Sequence, residues 1–350
     1  MGLTRIASAV GADADSDRRN VSDAMGVLVL GACAGWPLIS AAGRDGRPEG
    51  VLLAVLAVAA GYAAGRMSGA LLPVAAPCAG ALAGLGLACA MSQAAPGPQV
   101  TAPLGQAGAV AALLALATGG ACCAAWATPV PALRRGLLLL AAGIAVSGAV
   151  LGSAAGCVAS TAVLLCSLAA GRMRHRGAGV AGLALAAAVV TGTVLAVAAN
   201  VLPAGLVSAL EGPEGPLTAH RVRLWRDALR LARRHAALGV GPDRFGEVGG
   251  AASDALAPDG RPHSALLQQA AEQGLVGGLL LAAAFCWLLH ALWRSSRATP
   301  VALTAGAALT ALAVFAAVGD ALSSTTVPAG AGLLAGLATA RPWATAVPGG

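Results

Sequence analysis

The chain has 350 residues, of which 57% are apolar and only 11% charged, with a mean hydropathy of +0.77. A soluble domain carries about 25% charged residues, so the composition excludes a water-borne globule; it also excludes a disordered chain, because too little charge remains to keep one solvated. Net charge is +7 and every one of the 22 basic residues is arginine, so the position of each arginine carries more information than the total.

In chain order, residues 1–22 lack the apolar core of a signal peptide and read as a cytoplasmic tail. Ten apolar stretches follow, near 23–43, 50–65, 69–92, 105–127, 136–152, 155–171, 179–201, 274–293, 300–322 and 327–340. A membrane-spanning helix needs roughly 20 mostly apolar residues, and the expected fold class is therefore all-α, a polytopic transmembrane helix bundle. The run 136–171, at ~36 residues, is too long for one span and suits a tight helical hairpin split near Gly152-Ser153. Eight cysteines lie in apolar stretches with no CxxC pair and no zinc spacing, so they read as small hydrophobes, and no metal site is expected.

Arginine placement orients the bundle. With the N-terminus inside, twelve arginines fall on the inner side (5, 18, 19, 66, 134, 135, 172, 174, 176, 294, 297 and 341), while the short outer loops receive only Arg44 and Arg47. That is the positive-inside pattern, and it predicts a multi-pass protein of the cytoplasmic membrane with both termini, including 341–350, in the cytoplasm. The expected organisation is a seven-span bundle over 23–201, an outer loop over 202–262, and three spans over 263–340.

The loop holds the other eight arginines and seven of the fifteen acids, Glu211, Glu214, Asp227, Asp243, Glu247, Asp254 and Asp259. Within it, residues 219–235 fit an amphipathic helix. Advancing ~100° per residue gathers Arg223, Arg226, Arg230, Arg233 and Arg234 on one side, with Val222, Trp225, Ala228, Leu229 and Ala232 opposite. Arg221 departs from the basic sector and projects among Trp225, Ala228 and Ala232. A guanidinium aimed at an apolar surround is costly unless an anion meets it, whereas the basic sector suits lipid headgroups or water.

A glycine-rich turn (Gly239, Gly241, Pro242) and Arg244-Phe245 come next, then Arg261-Pro262-His263-Ser264. Pro262 and Ser264 are helix-start residues, so His263 belongs at a helix N-terminus. There the dipole favours a neutral imidazole able to accept a proton. The helix is expected to continue into the next span, with Gly274 and Gly277 allowing close packing. His220 and Asp320 are secondary candidates, the latter as a pairing partner for an arginine of the loop.

These segments resemble the O-antigen ligase and polymerase family of bacterial membrane glycosyltransferases. Its members carry a large outer loop before a late span and a histidine followed by Asn, Ser or Gln, nine residues, a glycine, two residues, and Gly, Thr or Tyr. His263-Ser264, Gly274 and Gly277 match that pattern in full. Arg221, four residues before Trp225, and the turn Gly239, Gly241 and Phe245 match its upstream features, with Ala236 where a proline is usual. The detailed resemblance covers residues 220–278.

The resemblance implies transfer of a glycan from a polyprenyl-diphosphate carrier to a hydroxyl of a glycan or glycolipid acceptor, at the outer face of the membrane. It implies no metal, nucleotide sugar or other cofactor, and no nucleic acid partner. His263 and Arg221 would be catalytic, while Arg223, Arg244, Arg261, Trp225 and His220 would contact substrate. One departure stands out: members commonly carry a Ser-Arg pair at the outer end of an earlier hairpin, where the arginine binds diphosphate, and the corresponding place here is Ser147-Gly148. Another cation such as Arg44, Arg223, Arg244 or Arg261 would substitute, or the chain is a catalytically impaired scaffold of a polysaccharide assembly complex. A lipid or glycan transporter is the remaining alternative, although no internal repeat and no mid-span charge supports it.

Overall fold

The computed structural model describes residues 2–44, 46–93, 104–202, 219–248 and 262–341, with side chains from Val21 onward except at 104–106 and 219–220. Among the described residues the elements are all helical: α1 (Gly2–Ala42), α2 (Glu49–Leu71), α3 (Ala75–Gln93), α4 (Leu104–Ala127), α5 (Pro131–Val150), α6 (Ala154–Ala170), α7 (Arg176–Ala198), α8 (Ala219–Arg234), α9 (Phe245–Val248), α10 (Ala265–Glu272), α11 (Gly274–Arg294), α12 (Thr299–Val318) and α13 (Thr326–Thr339). In lipid a backbone must satisfy its own polar groups, which Ala- and Leu-dense helices do. Eight are long and apolar enough to cross a membrane; α6 and α13 are shorter apolar helices. The protein is thus a polytopic helical bundle.

Two boundaries refine the sequence reading. Helix α1 starts at Gly2, well before the stretch beginning at residue 23. The hairpin between α5 and α6 turns at the expected place: Gly152 has φ +71°, a left-handed conformation that favours glycine, and the Ser153 hydroxyl caps α6 by accepting the Gly156 N–H at 3.1 Å.

Helices α4 and α12 form the centre, their residues enclosed almost all round by α3, α5, α6, α7 and α13. A helix apolar on every face is suited to that position. Since lipid tails are as apolar as leucine, close backbone packing must hold the helices together, and α2 against α13 shows how. A Cβ at Gly65 would lie 2.3 Å from the Leu333 carbonyl oxygen, and one at Gly332 would lie 2.2 Å from that of Val58.

At the end away from the large loop, arginines tie helix ends together. Arg297 donates to the carbonyls of Ala340 and Gly69, both at 2.7 Å, and Arg176 donates to those of Ser295 and Arg297. The loop end carries the C-termini of α1, α7 and α12 and the N-termini of α2 and α11. It positions the site.

Candidate functional site at the loop end

Helix α8 lies against α7 and α10. Its buried face consists of Arg221, Val222, Leu224, Trp225, Ala228 and Ala232, while Arg223, Arg230, Arg233 and Arg234 are exposed. The face is wider than the sequence wheel indicated, because Leu224 joins it, and Arg221 sits near its middle. That side chain is 7% exposed and its Nη1 donates to the Val318 carbonyl, at the C-terminal residue of α12, at 3.3 Å. Burial lowers the proton affinity of the Arg221 guanidinium, but arginine stays charged even when desolvated. A helix C-terminus is the negative end of its dipole, so this carbonyl offsets part of the desolvation. Asp320 follows two residues later, at the start of the turn into α13.

One helical turn on, Trp225 is fully buried in an apolar cluster with Val194, Val197, Phe245, Leu267 and Ala271. Expected as a substrate contact, it faces the protein instead, and its indole Nε1 donates to the Pro262 carbonyl at 2.8 Å. This bond fixes the residue preceding His263. The histidine takes φ +46°, a left-handed conformation that costs a residue with a Cβ roughly 1–2 kcal/mol. Ser264 on its other side is the N-cap of α10, its carbonyl accepting the Gln268 N–H at 2.9 Å. The Ser264 hydroxyl is buried and has no hydrogen-bond partner among the described residues, so it does not cap the helix. Strain held between two anchored neighbours is typical of functional positions.

The signature glycines form a backbone clasp. Gly239 (φ +67°) lies against Glu272, where a Cβ would come 2.3 Å from its carbonyl oxygen. Gly274 (φ +72°) lies reciprocally against Ala236 and Ala237, where a Cβ would come 2.5 Å from each carbonyl oxygen. Val240 and Gly241 donate N–H groups to the Ala271 and Glu272 carbonyls at 3.0 and 2.9 Å, and Leu275 donates to Ala236 at 2.9 Å. Gly274 therefore ends one helix and begins another, which corrects the expectation of a single helix running from Ser264 into the span. Gly277 lets α11 fold back on the end of α10, since a Cβ there would lie 2.9 Å from the Gln269 carbonyl oxygen.

Supports come from residues the sequence reading did not single out. Glu272, 3% exposed, accepts the Asp243 N–H at 3.1 Å and the Gln268 side-chain amide at 3.0 Å. Trp36 of α1 donates to the Gln273 carbonyl at 2.9 Å. A polar pair at 268 and 272, four residues apart in an apolar stretch, was the available signal for the first of these.

The remaining candidates are dispersed. Arg244 donates to the Arg44 carbonyl at 2.6 Å and pairs with Glu247 at 3.1 Å, joining the turn to the α1–α2 connection. Arg223 is exposed. Arg226, assigned to the basic sector, is half-buried and donates to Asn200 at 2.7 Å. Arg261, Glu211, Glu214, Asp254 and Asp259 lie outside the described residues, as does the His220 side chain. Ser147 bonds its own helix at Ile144, and Gly148 is pressed on α6, where a Cβ would come 2.8 Å from the Cys157 nitrogen. Among the described residues no group of three or more His, Cys, Asp or Glu side chains gathers as metal ligands would.

A buried arginine and a strained histidine, brought to one end of a polytopic helical bundle by a loop helix and a glycine clasp, make up the candidate site. Residues 136–282 match the family model described as O-antigen ligase. That segment runs from α5 through α8, the clasp and His263 into α11, and over it the chain is similar to the O-antigen ligase family. No curated protein and no solved structure matches the chain.

Proposed function

We propose that the protein is a glycosyltransferase that moves a glycan from a polyprenyl-diphosphate carrier to a sugar hydroxyl on the loop face of the cytoplasmic membrane. The acceptor oxygen forms a bond to the anomeric carbon, its proton passes to His263, and the carrier diphosphate leaves with the electron pair of the broken C–O bond. Arg221 stabilises that leaving group, since a guanidinium offers a planar fork of charged donors where negative charge develops. A positioned imidazole suits the proton transfer. The observation that carries the reading is the burial of Arg221 beside four exposed arginines of the same helix.

The test is gene deletion followed by analysis of surface glycans and lipid-linked intermediates. Loss of a surface polysaccharide with accumulation of its lipid-linked precursor is expected; an unchanged glycan profile and precursor pool would refute the activity. The orientation is tested separately. A single cysteine at Arg174, in a cysteine-free background, should resist an impermeant reagent applied from outside, and its labelling would invert the topology.

A second reading has one observation in its favour. The Gly148 contact with the α6 backbone leaves no room for the arginine of the Ser-Arg pair, as a non-catalytic scaffold of an assembly complex would tolerate. Purified protein that transfers glycan from a lipid-linked donor excludes it.

A further inference from the structure

Glu272 is a carboxylate in a place that disfavours one. It is buried, and it is the last residue of α10, where both desolvation and the negative end of the helix dipole oppose an anion. Among the described residues its carboxylate meets two N–H donors. Oε2 accepts the Asp243 backbone N–H at 3.1 Å, and Oε1 accepts the Gln268 side-chain amide at 3.0 Å. A glutamine would avoid the charge, yet it offers a single acceptor oxygen and would turn N–H groups toward the second donor. Two donors on one side chain call for a carboxylate.

The residue held in this way is a bend. Asp243 takes φ +59°, a left-handed conformation that favours glycine. The chain then turns at once through Arg244, whose N–H reaches the Gly241 carbonyl at 3.3 Å, into Phe245. Phe245 is buried in one cluster with Trp225, Leu267 and Ala271. Trp225 holds the Pro262 carbonyl, just before His263, and stands one helical turn from Arg221. A plain alternative is that Glu272 only stabilises the fold. The clasp, however, is already closed by backbone groups, with Val240, Gly241 and Leu275 donating to the Ala271, Glu272 and Ala236 carbonyls. The side-chain bonds act beyond that junction, on the direction in which the chain leaves it.

We infer that Glu272 is a positioning residue: its carboxylate sets the Asp243 bend, which seats Phe245 against Trp225 and thereby holds His263 and Arg221 in register. The kinetic consequence rests on the transfer reaction proposed above; the structural one does not. The test is a reciprocal swap in the purified full-length protein. Glu272→Gln sets N–H groups against one of the two donors, and Gln268→Glu sets two carboxylates together. The double variant Gln268→Glu/Glu272→Gln restores both bonds with one of them reversed: the amide oxygen at 272 accepts the Asp243 N–H, and its N–H donates to the carboxylate at 268. The readouts are transfer from a lipid-linked oligosaccharide, resolved into kcat and KM, and amide hydrogen exchange over residues 240–248.

Each single variant should lose about 10- to 100-fold in kcat, the effect of slight misplacement of reacting groups, with the donor KM within about twofold. Amide exchange over 240–248 should quicken in both. The double variant should return to within about threefold of the wild-type kcat, because the two changes are coupled rather than additive, and to wild-type amide exchange. Losses that the double variant fails to repair overturn the positioning role. So does a kcat loss matched by an equal loss of folded protein in size exclusion and thermal melting, and so does a Glu272→Gln variant that behaves as wild type in both readouts. A wild type that transfers no glycan refutes the glycosyltransferase reading, and amide exchange then decides the bend alone: faster in the single variants and restored in the double sustains it, and unchanged in the single variants overturns it.

Discussion

Replacing Arg221 by alanine separates a catalytic arginine from an interfacial one. The side chain is 7% exposed and hydrogen-bonded to the carbonyl of Val318. Arg230 on the same helix has a side chain 68% exposed and paired with Asp227. Under the proposed mechanism, truncating Arg221 should remove a charge-assisted contact to the leaving diphosphate, roughly 2–4 kcal/mol, which is ~30- to 1,000-fold in rate. It also leaves the Val318 carbonyl without that donor, at about 1–3 kcal/mol of local stability. A surface pair such as Arg230–Asp227 is worth about 1 kcal/mol or less, so Arg230→Ala should cost tenfold or less in rate. The assay is transfer from a lipid-linked oligosaccharide in membranes with equal protein content, with thermal stability measured in parallel. Comparable rate losses for the two variants would refute the reasoning, as would a loss in Arg221→Ala fully accounted for by unfolding.

His263→Asn tests the proton acceptor. Asparagine tolerates a left-handed backbone, so the variant should fold, yet lose ~100- to 10,000-fold in transfer. The wild-type rate should fall on acidification as the ring acquires the proton it must accept, and the variant should lack that limb; normal transfer by the variant would leave His263 a structural residue. Gly274→Ala places a Cβ 2.5 Å from two carbonyl oxygens at φ +72° and should open the clasp, seen as lost transfer and proteolysis near residues 236–241. Gly65→Leu should separate α2 from α13 and be read as loss of monodisperse protein in detergent, whereas Gly143→Leu, with open space around its Cα, should purify normally.

Features governed by local periodicity were legible in the sequence. The apolar stretches correspond to helices because a spanning backbone has few alternatives. Arg221 was picked out because a 100° advance fixes its face whatever the partner. Gly152-Ser153 was legible as a turn because a glycine beside a capping serine has a local mechanism. The break at Gly274 was missed: an apolar run with glycines at helical spacing reads as one helix, although glycine after a polar pair is also a helix-stop signal. Trp225 was misjudged for a related reason. Its place on the apolar face was correct, but nothing local says that its partner is the Pro262 carbonyl, 37 residues away. Glu272 escaped notice although Gln268 stands one helical turn before it, because its other partner, the Asp243 N–H, belongs to a turn that only the folded chain brings near.

The clasp bears on how such a loop can change over time. Between Val240 and Ala271 the chain leaves and returns at one hydrogen-bonded junction, and the Trp225 bond to Pro262 pins the returning strand just before His263. Extra residues inserted between those anchors enlarge a ring already closed, and each doubling of a flexible ring adds only about 0.6 kcal/mol of closure entropy. The closing contacts, Val240 with Ala271 and Trp225 with Pro262, lie outside any such insertion, so changes in loop length leave the anchors of His263 and Arg221 in place.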